Sequence, residues 1–227
     1  MLKHVALVSG LALATSVALA GNAGSMSPAQ QFSGIYLGGA AGLSSQFYHS
    51  EIKNGSNVQE AKFDAGEYGA AFQLLGGYNF AMSSHWLIGG DIHGQYDTNS
   101  DAAHRTSQSG TTGSAHVSMP WQFGAALRVG YAPMANNLFY GLIGPEWTRL
   151  KHKYTRNSST VVDKTVTDVG ALAAVGAQQK LTQHLALGEQ VSYIYYASKS
   201  NSHTDGGKTT IKPREIQGLL SLMYYFS

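Results

Sequence analysis

Trp86-Leu87-Ile88-Gly89-Gly90-Asp91-Ile92-His93-Gly94-Gln95-Tyr96 is the stretch on which the fold turns. In an extended strand successive side chains point to opposite sides. Trp86, Ile88, Gly90, Ile92, Gly94 and Tyr96 therefore share one face, and Leu87, Gly89, Asp91, His93 and Gln95 share the other. The apolar face begins and ends on an aromatic ring, while the opposite face carries an acid, an imidazole and an amide. Aromatics at both ends of an apolar face sit where membrane–water interfaces prefer them. A soluble sandwich would need the reverse, polar side chains on its outer faces.

The same pattern recurs along the chain. Trp121 to Tyr131 puts Trp121, Phe123, Ala125, Leu127, Val129 and Tyr131 against Gln122, Gly124, Ala126, Arg128 and Gly130. Gly34 to Phe47, Glu67 to Phe80 and Glu215 to Phe226 alternate in the same way. Leu138 to Trp147, Val169 to Lys180 and Leu185 to Tyr196 complete a set of eight. Two positions resist simple alternation. Pro145 cannot donate to a ladder and predicts a bulge or strand end, which leaves the direction of Glu146 open. Glu189 falls in phase with Leu187 and Val191, on the apolar face, unless a bulge re-aims it.

The connections carry equal weight. Those at Ala81 to His85, Ala132 to Asn137 and Leu181 to His184 are short, whereas Asp97 to Ser118 and Lys199 to Arg214 are long and polar. Tight turns alternating with long loops are the asymmetry of bacterial outer-membrane barrels, with turns and both termini in the periplasm and loops outside. The fold expected is all-β, an eight-stranded antiparallel transmembrane up-and-down β-barrel.

Composition agrees. Charged residues are 12% of the chain, aromatics 11%, and glycine numbers 27, with no cysteine and a net charge of +2. No apolar run after the N-terminus approaches membrane-helix length, and only a closed sheet otherwise satisfies the backbone in lipid. The lack of cysteine excludes a disulfide framework and thiolate metal sites, and the charge gives no reason to expect nucleic acid as a partner. At the N-terminus, Lys3 and His4 precede the apolar run Val5 to Ala20, which ends on Ala18-Leu19-Ala20. This reads as a signal peptide over 1–20 rather than a retained anchor helix. An N-terminal periplasmic segment is expected over 21–33 and the barrel over 34–227.

Gly34-Ile35-Tyr36-Leu37-Gly38-Gly39, Leu75-Gly76-Gly77-Tyr78-Asn79-Phe80, Ala126-Leu127-Arg128-Val129-Gly130-Tyr131 and Leu220-Ser221-Leu222-Met223-Tyr224-Tyr225-Phe226 resemble the OmpA-like and Opa-like eight-stranded outer-membrane barrels. The resemblance covers the chain beyond the signal peptide. It implies that Tyr224 and Phe226 form the terminal signal read by the barrel-assembly machinery, although Ser227 follows. It also implies that acidic and basic side chains pair across the interior.

Gln73, Asp91, His93, Arg128, Gln178 and Gln190 are expected to point into the lumen. They form either a gate or narrow pore built on Arg128 or a satisfied polar plug; the plug is favoured, because eight strands leave room only for side chains. No catalytic residue is expected. A lipid-modifying hydrolase needs a Ser–His pair with an orienting acid, and neither His93-Gly94-Gln95 nor His184-Leu185-Ala186 supplies the pattern. An omptin-like protease needs more strands. The scattered histidines predict no metal site, and no cofactor is expected. Arg149, Lys151, His152, Lys153 and Arg156 form a basic loop patch, read as solvated or in contact with outer-membrane lipid and lipopolysaccharide. The expected role is structural and surface-interacting, adhesin-like or opacity-like, with the long loops holding a host or surface ligand. A solute channel is the alternative.

Overall fold

The computed structural model describes residues 26–53, 59–98, 102–108, 111–156, 159–197, 199–202 and 208–226. The segment proposed as a signal peptide thus lies outside the described residues. A short 3-10 helix, Gln30–Phe32, precedes the first strand, and Gly34, which opens that strand, has a φ of 104°, a left-handed conformation that suits glycine.

Eleven strands follow. They are β1 Gly34–Lys53, β2 Gln59–Ala81, β3 Trp86–Asp97, β4 Ala102–Gln108, β5 Thr111–Ser118, β6 Trp121–Met134, β7 Asn137–Arg156, β8 Ser159–Lys180, β9 Leu185–Tyr196, β10 Lys199–Ser202 and β11 Lys208–Tyr225. Eight of them pair antiparallel in a ring, β1-β2-β3-β6-β7-β8-β9-β11, with β11 returning to β1. A ring has no free edge, so every backbone group in the bilayer finds a partner. β4 and β5 form a hairpin attached to β7, and β10 pairs with β11.

Burial follows the alternation read from sequence. On β6 the pattern strictly alternates, with Trp121, Phe123, Leu127, Val129 and Tyr131 exposed to the membrane and Gln122, Ala126 and Arg128 buried inside. Two girdles frame the apolar band. Trp86 pairs with Tyr131 at the periplasmic end, ring centroids 4.9 Å apart, and Tyr96 pairs with Trp121 at the outer end, 5.0 Å apart. Each girdle residue is ten positions from its counterpart on the same strand, about 33 Å of strand at ~3.3 Å per residue. At a tilt of about 40° this spans about 25 Å of height, the thickness of an outer-membrane apolar band.

The structure departs from the sequence reading in two places. The long connections are largely strand: β1 and β2 stay paired out to Lys53↔Gln59, and β7 and β8 to Arg156↔Ser159. These Thr- and Ser-bearing ends lie beyond the lipid, so they need no apolar face and leave no alternation to read. Pro145 makes no bulge: β7 keeps one register with β8 through Gly144↔Leu172, Pro145↔Ala171 and Glu146↔Gly170. The interruption falls on the β6 side, where pairing is recorded at Gly124↔Glu146 and Leu127↔Ile143 but not at the residues between. The missing N–H of proline is thus absorbed by one ladder.

Candidate functional site

The lumen is the first candidate. Unbroken registers decide both ambiguous acids. Glu146 is buried inside, in phase with Leu138, Tyr140 and Leu142. Glu189 keeps the outward phase of Leu187 and Val191, with no shift in either of its ladders, and so faces lipid.

All six residues expected in the lumen occupy inward positions, but they belong to separate groups. Arg128 is fully buried, and its Nη2 and Nε both donate to Asp91 Oδ2, at 2.8 and 3.2 Å. Its guanidinium lies 4.2 Å from the Tyr140 ring centroid and 4.9 Å from that of Tyr36. A buried cation is thus held by one carboxylate and two aromatic faces. Nearby, His93 Nε2 sits 3.0 Å from Glu146 Oε2. Gly124 makes this approach possible, because a Cβ there would collide with the His93 ring and the Glu146 carboxylate.

Toward the outer end, Gln73 Nε2 donates to Gln95 Oε1 at 3.3 Å, and Gln95 Nε2 donates to Asp97 Oδ2 at 2.9 Å. Gln122 Nε2 donates to both Asp97 Oδ2 and Glu215 Oε2 at 2.8 Å, tying two opposite walls together. Ser44 Oγ completes Asp97 at 2.8 Å and Gln217 Nε2 completes Glu215 at 2.7 Å. Toward the periplasm, Gln178 Oε1 accepts from Tyr225 OH at 2.6 Å, while Gln190 Oε1 accepts from Tyr140 OH at 3.1 Å.

The periplasmic mouth is occupied by residues 26–33. Phe32 is fully buried, edge-on to Tyr225 at 6.0 Å, and Lys180 Nζ lies 3.9 Å from the Tyr225 ring centroid. Asn79 Nδ2 donates to Phe32 O at 2.9 Å and Ala29 N donates to Ser84 O at 3.0 Å, fixing the segment across the opening.

Asp97, Gln122 and Glu215 were not among the residues singled out from sequence. Their phase was available: Asp97 continues Asp91, His93 and Gln95, and Glu215 is in step with Gln217. Which walls face each other is set by barrel closure, which alternation does not encode. Ser84 Oγ and His85 Nδ1 lie 2.9 Å apart, but as neighbours in an exposed periplasmic turn. Among the described residues, no three His, Asp or Glu side chains gather as a metal site.

Of the basic patch, Arg149 is described and exposed on the outer wall of β7. The side chains of Lys151, His152, Lys153 and Arg156 lie outside the described residues. At the C-terminus, Tyr224 and Phe226 face outward with their rings edge to face at 5.0 Å, while Tyr225 turns inward.

Comparison with known proteins gives a consistent picture. The family described as outer membrane protein beta-barrel domain matches residues 9–226. The outer membrane protease OmpT of Escherichia coli superposes with a TM-score of 0.52 at 9% identity, covering 85% of this chain and 96% of that one. The outer membrane protein OprG of Pseudomonas aeruginosa gives 0.49 at 11% identity, covering 86% and 97%. Neisserial surface protein A gives 0.42 at 13% identity, covering 86% and 98%. No curated protein sequence matches the chain. At these identities the likeness is one of fold.

Proposed function

The chain belongs to the outer membrane β-barrel family and resides in the bacterial outer membrane, and from that premise we propose that it is a non-catalytic surface-interaction barrel whose outer rim holds an extracellular ligand. One observation carries this reading. β7 and β8 stay paired for nine residues beyond Trp147, about 30 Å of strand. The β4–β5 hairpin joins that extension through β7. A paired rim loses little conformational entropy on binding, unlike a free loop. Its position above a packed lumen supports recognition at the rim over transport.

The test is adhesion. Bacteria displaying the chain, and a variant with 102–118 and 150–163 replaced by short turns, are compared for binding to epithelial cells and matrix proteins. Adhesion of the full chain no greater than that of the trimmed variant would sink the proposal. Likeness to a protease at 9% identity concerns the fold; the proposal expects no peptide cleavage and no lipid deacylation.

A narrow pore is the second reading, favoured by the charged pairs Arg128–Asp91 and His93–Glu146 inside the barrel. Planar-bilayer recordings decide it: conductance changed by Arg128→Ala would support a pore. We further propose that residues 1–20 are removed on export, which N-terminal sequencing of the membrane-inserted protein checks. Tyr224 and Phe226, outward at the end of the last strand, are proposed as the contact for the assembly machinery.

A further inference from the structure

A cleft of about 500 Å³ opens on the lipid-facing wall between β6 and β7 at the outer girdle, lined by Trp121, Phe123, Trp147, Thr148, Arg149 and Thr167. Its volume falls within the range of small-molecule sites. The lower part is aromatic: Phe123 and Trp147 are register partners, and both are exposed to the membrane. The upper part is polar: Arg149 stands opposite Thr167 on β8 and one step past Gln122↔Thr148, beside Trp121. Thr148 contributes backbone, since its Oγ1 points inward and donates to Trp121 O at 3.3 Å.

Height and charge identify the occupant. Trp121 belongs to the outer girdle, so the rings of the cleft lie where acyl chains meet headgroups. Arg149 is two residues above Trp147, about 5 Å higher, at the level of the headgroup phosphates. Among the described residues Arg149 has no ion-pair or hydrogen-bond partner. A guanidinium presents a planar fork of donors that suits a phosphate, and the aromatic floor suits the chain below it.

We propose that this cleft binds a phosphorylated glycolipid of the outer leaflet, a lipid A-type molecule, with its phosphate on Arg149 and an acyl chain along Trp121, Phe123 and Trp147. The site lies at the base of the rim and ends at Arg149, so it is tested separately from the adhesive role proposed above, whose trimmed variant alters only 102–118 and 150–163. A phosphate held there would anchor the barrel in the asymmetric outer leaflet and fix its height.

The experiment is titration of the folded mature protein in detergent with bisphosphoryl lipid A, the same lipid stripped of phosphate, and phosphatidylcholine, read by native mass spectrometry and tryptophan emission. Folding of each variant is checked by the mobility of unboiled samples. Expected is a saturable complex with bisphosphoryl lipid A, at least tenfold weaker binding by Arg149→Gln, and partial recovery in Arg149→Lys. Arg214→Gln is the control. That arginine is exposed at the same outer height, with its guanidinium 5.9 Å from the Tyr195 ring, but lies on the opposite wall away from the cleft. It should change binding less than twofold. Three results overturn the proposal: equal binding of phosphate-free lipid, equal losses in the Arg149 and Arg214 variants, or no loss in Arg149→Gln.

Discussion

Replacing Arg128 by methionine tests the filled lumen most directly. The substitution keeps much of the side-chain volume and removes the charge, leaving Asp91 buried with no cation. Breaking a buried ion pair from one side costs about 3–5 kcal/mol. The contacts of the guanidinium with Tyr36 and Tyr140, 4.9 and 4.2 Å from its carbon, contribute about 0.5–2 kcal/mol each. Arg128→Met is therefore expected to destabilise the barrel by roughly 4–9 kcal/mol, a large part of a domain's usual stability. Asp91→Leu leaves the cation with its two rings and loses less, about 3 kcal/mol. The double substitution Arg128→Met/Asp91→Leu replaces the pair by apolar groups and returns to within about 1 kcal/mol of the parent, giving a coupling of at least about 6 kcal/mol. The assay is urea unfolding of protein refolded into phosphatidylcholine vesicles, followed by tryptophan emission and gel mobility, with unfolding and refolding limbs superimposed. A loss below about 1 kcal/mol for Arg128→Met, with coupling below about 0.5 kcal/mol, would refute the reasoning. It would mean that water hydrates Asp91 and that the lumen is a channel.

The same assay checks three further substitutions. Gly124→Ala drives a Cβ into the His93–Glu146 contact and should destabilise by about 1–3 kcal/mol. Gly90→Ala, where the nearest atom to a Cβ is Ala126 O at 3.7 Å, should change stability by less than about 0.5 kcal/mol. Glu189→Leu removes a carboxyl from the lipid-facing wall beside Leu187, Val191 and Leu220 and should stabilise the barrel by about 1 kcal/mol, below the cost of a lipid-facing Arg or Lys at mid-bilayer. No gain would show that Glu189 has a partner in the membrane. Phe32→Ala empties the periplasmic mouth, and amide hydrogen exchange at residues 29–33 should then rise well above that of the neighbouring strand β1, whose ladders remain intact.

Most of the wall was legible in the residues themselves. Trp86 to Tyr96 and Trp121 to Tyr131 named their own inward and outward faces because lipid on one side and packed side chains on the other impose a period of two. The strand ends beyond the girdles were not legible, since a strand in water with no buried face has no period to display. Glu146 and Glu189 show the same limit from the other side: their direction depended on whether the register slipped near them, and it did not.

The sequence by itself determined the eight membrane-crossing strands, their inner and outer residues, and which end of the barrel carries the short turns. These follow from periodicity and turn length, which are local. Only the tertiary structure decided which inward residues meet. Gln122 reaches both Asp97 and Glu215, Arg128 lies between Tyr36 and Tyr140, and Phe32 reaches Tyr225. Those meetings depend on the stagger with which the sheet closes, a property of the whole ring that no single strand carries.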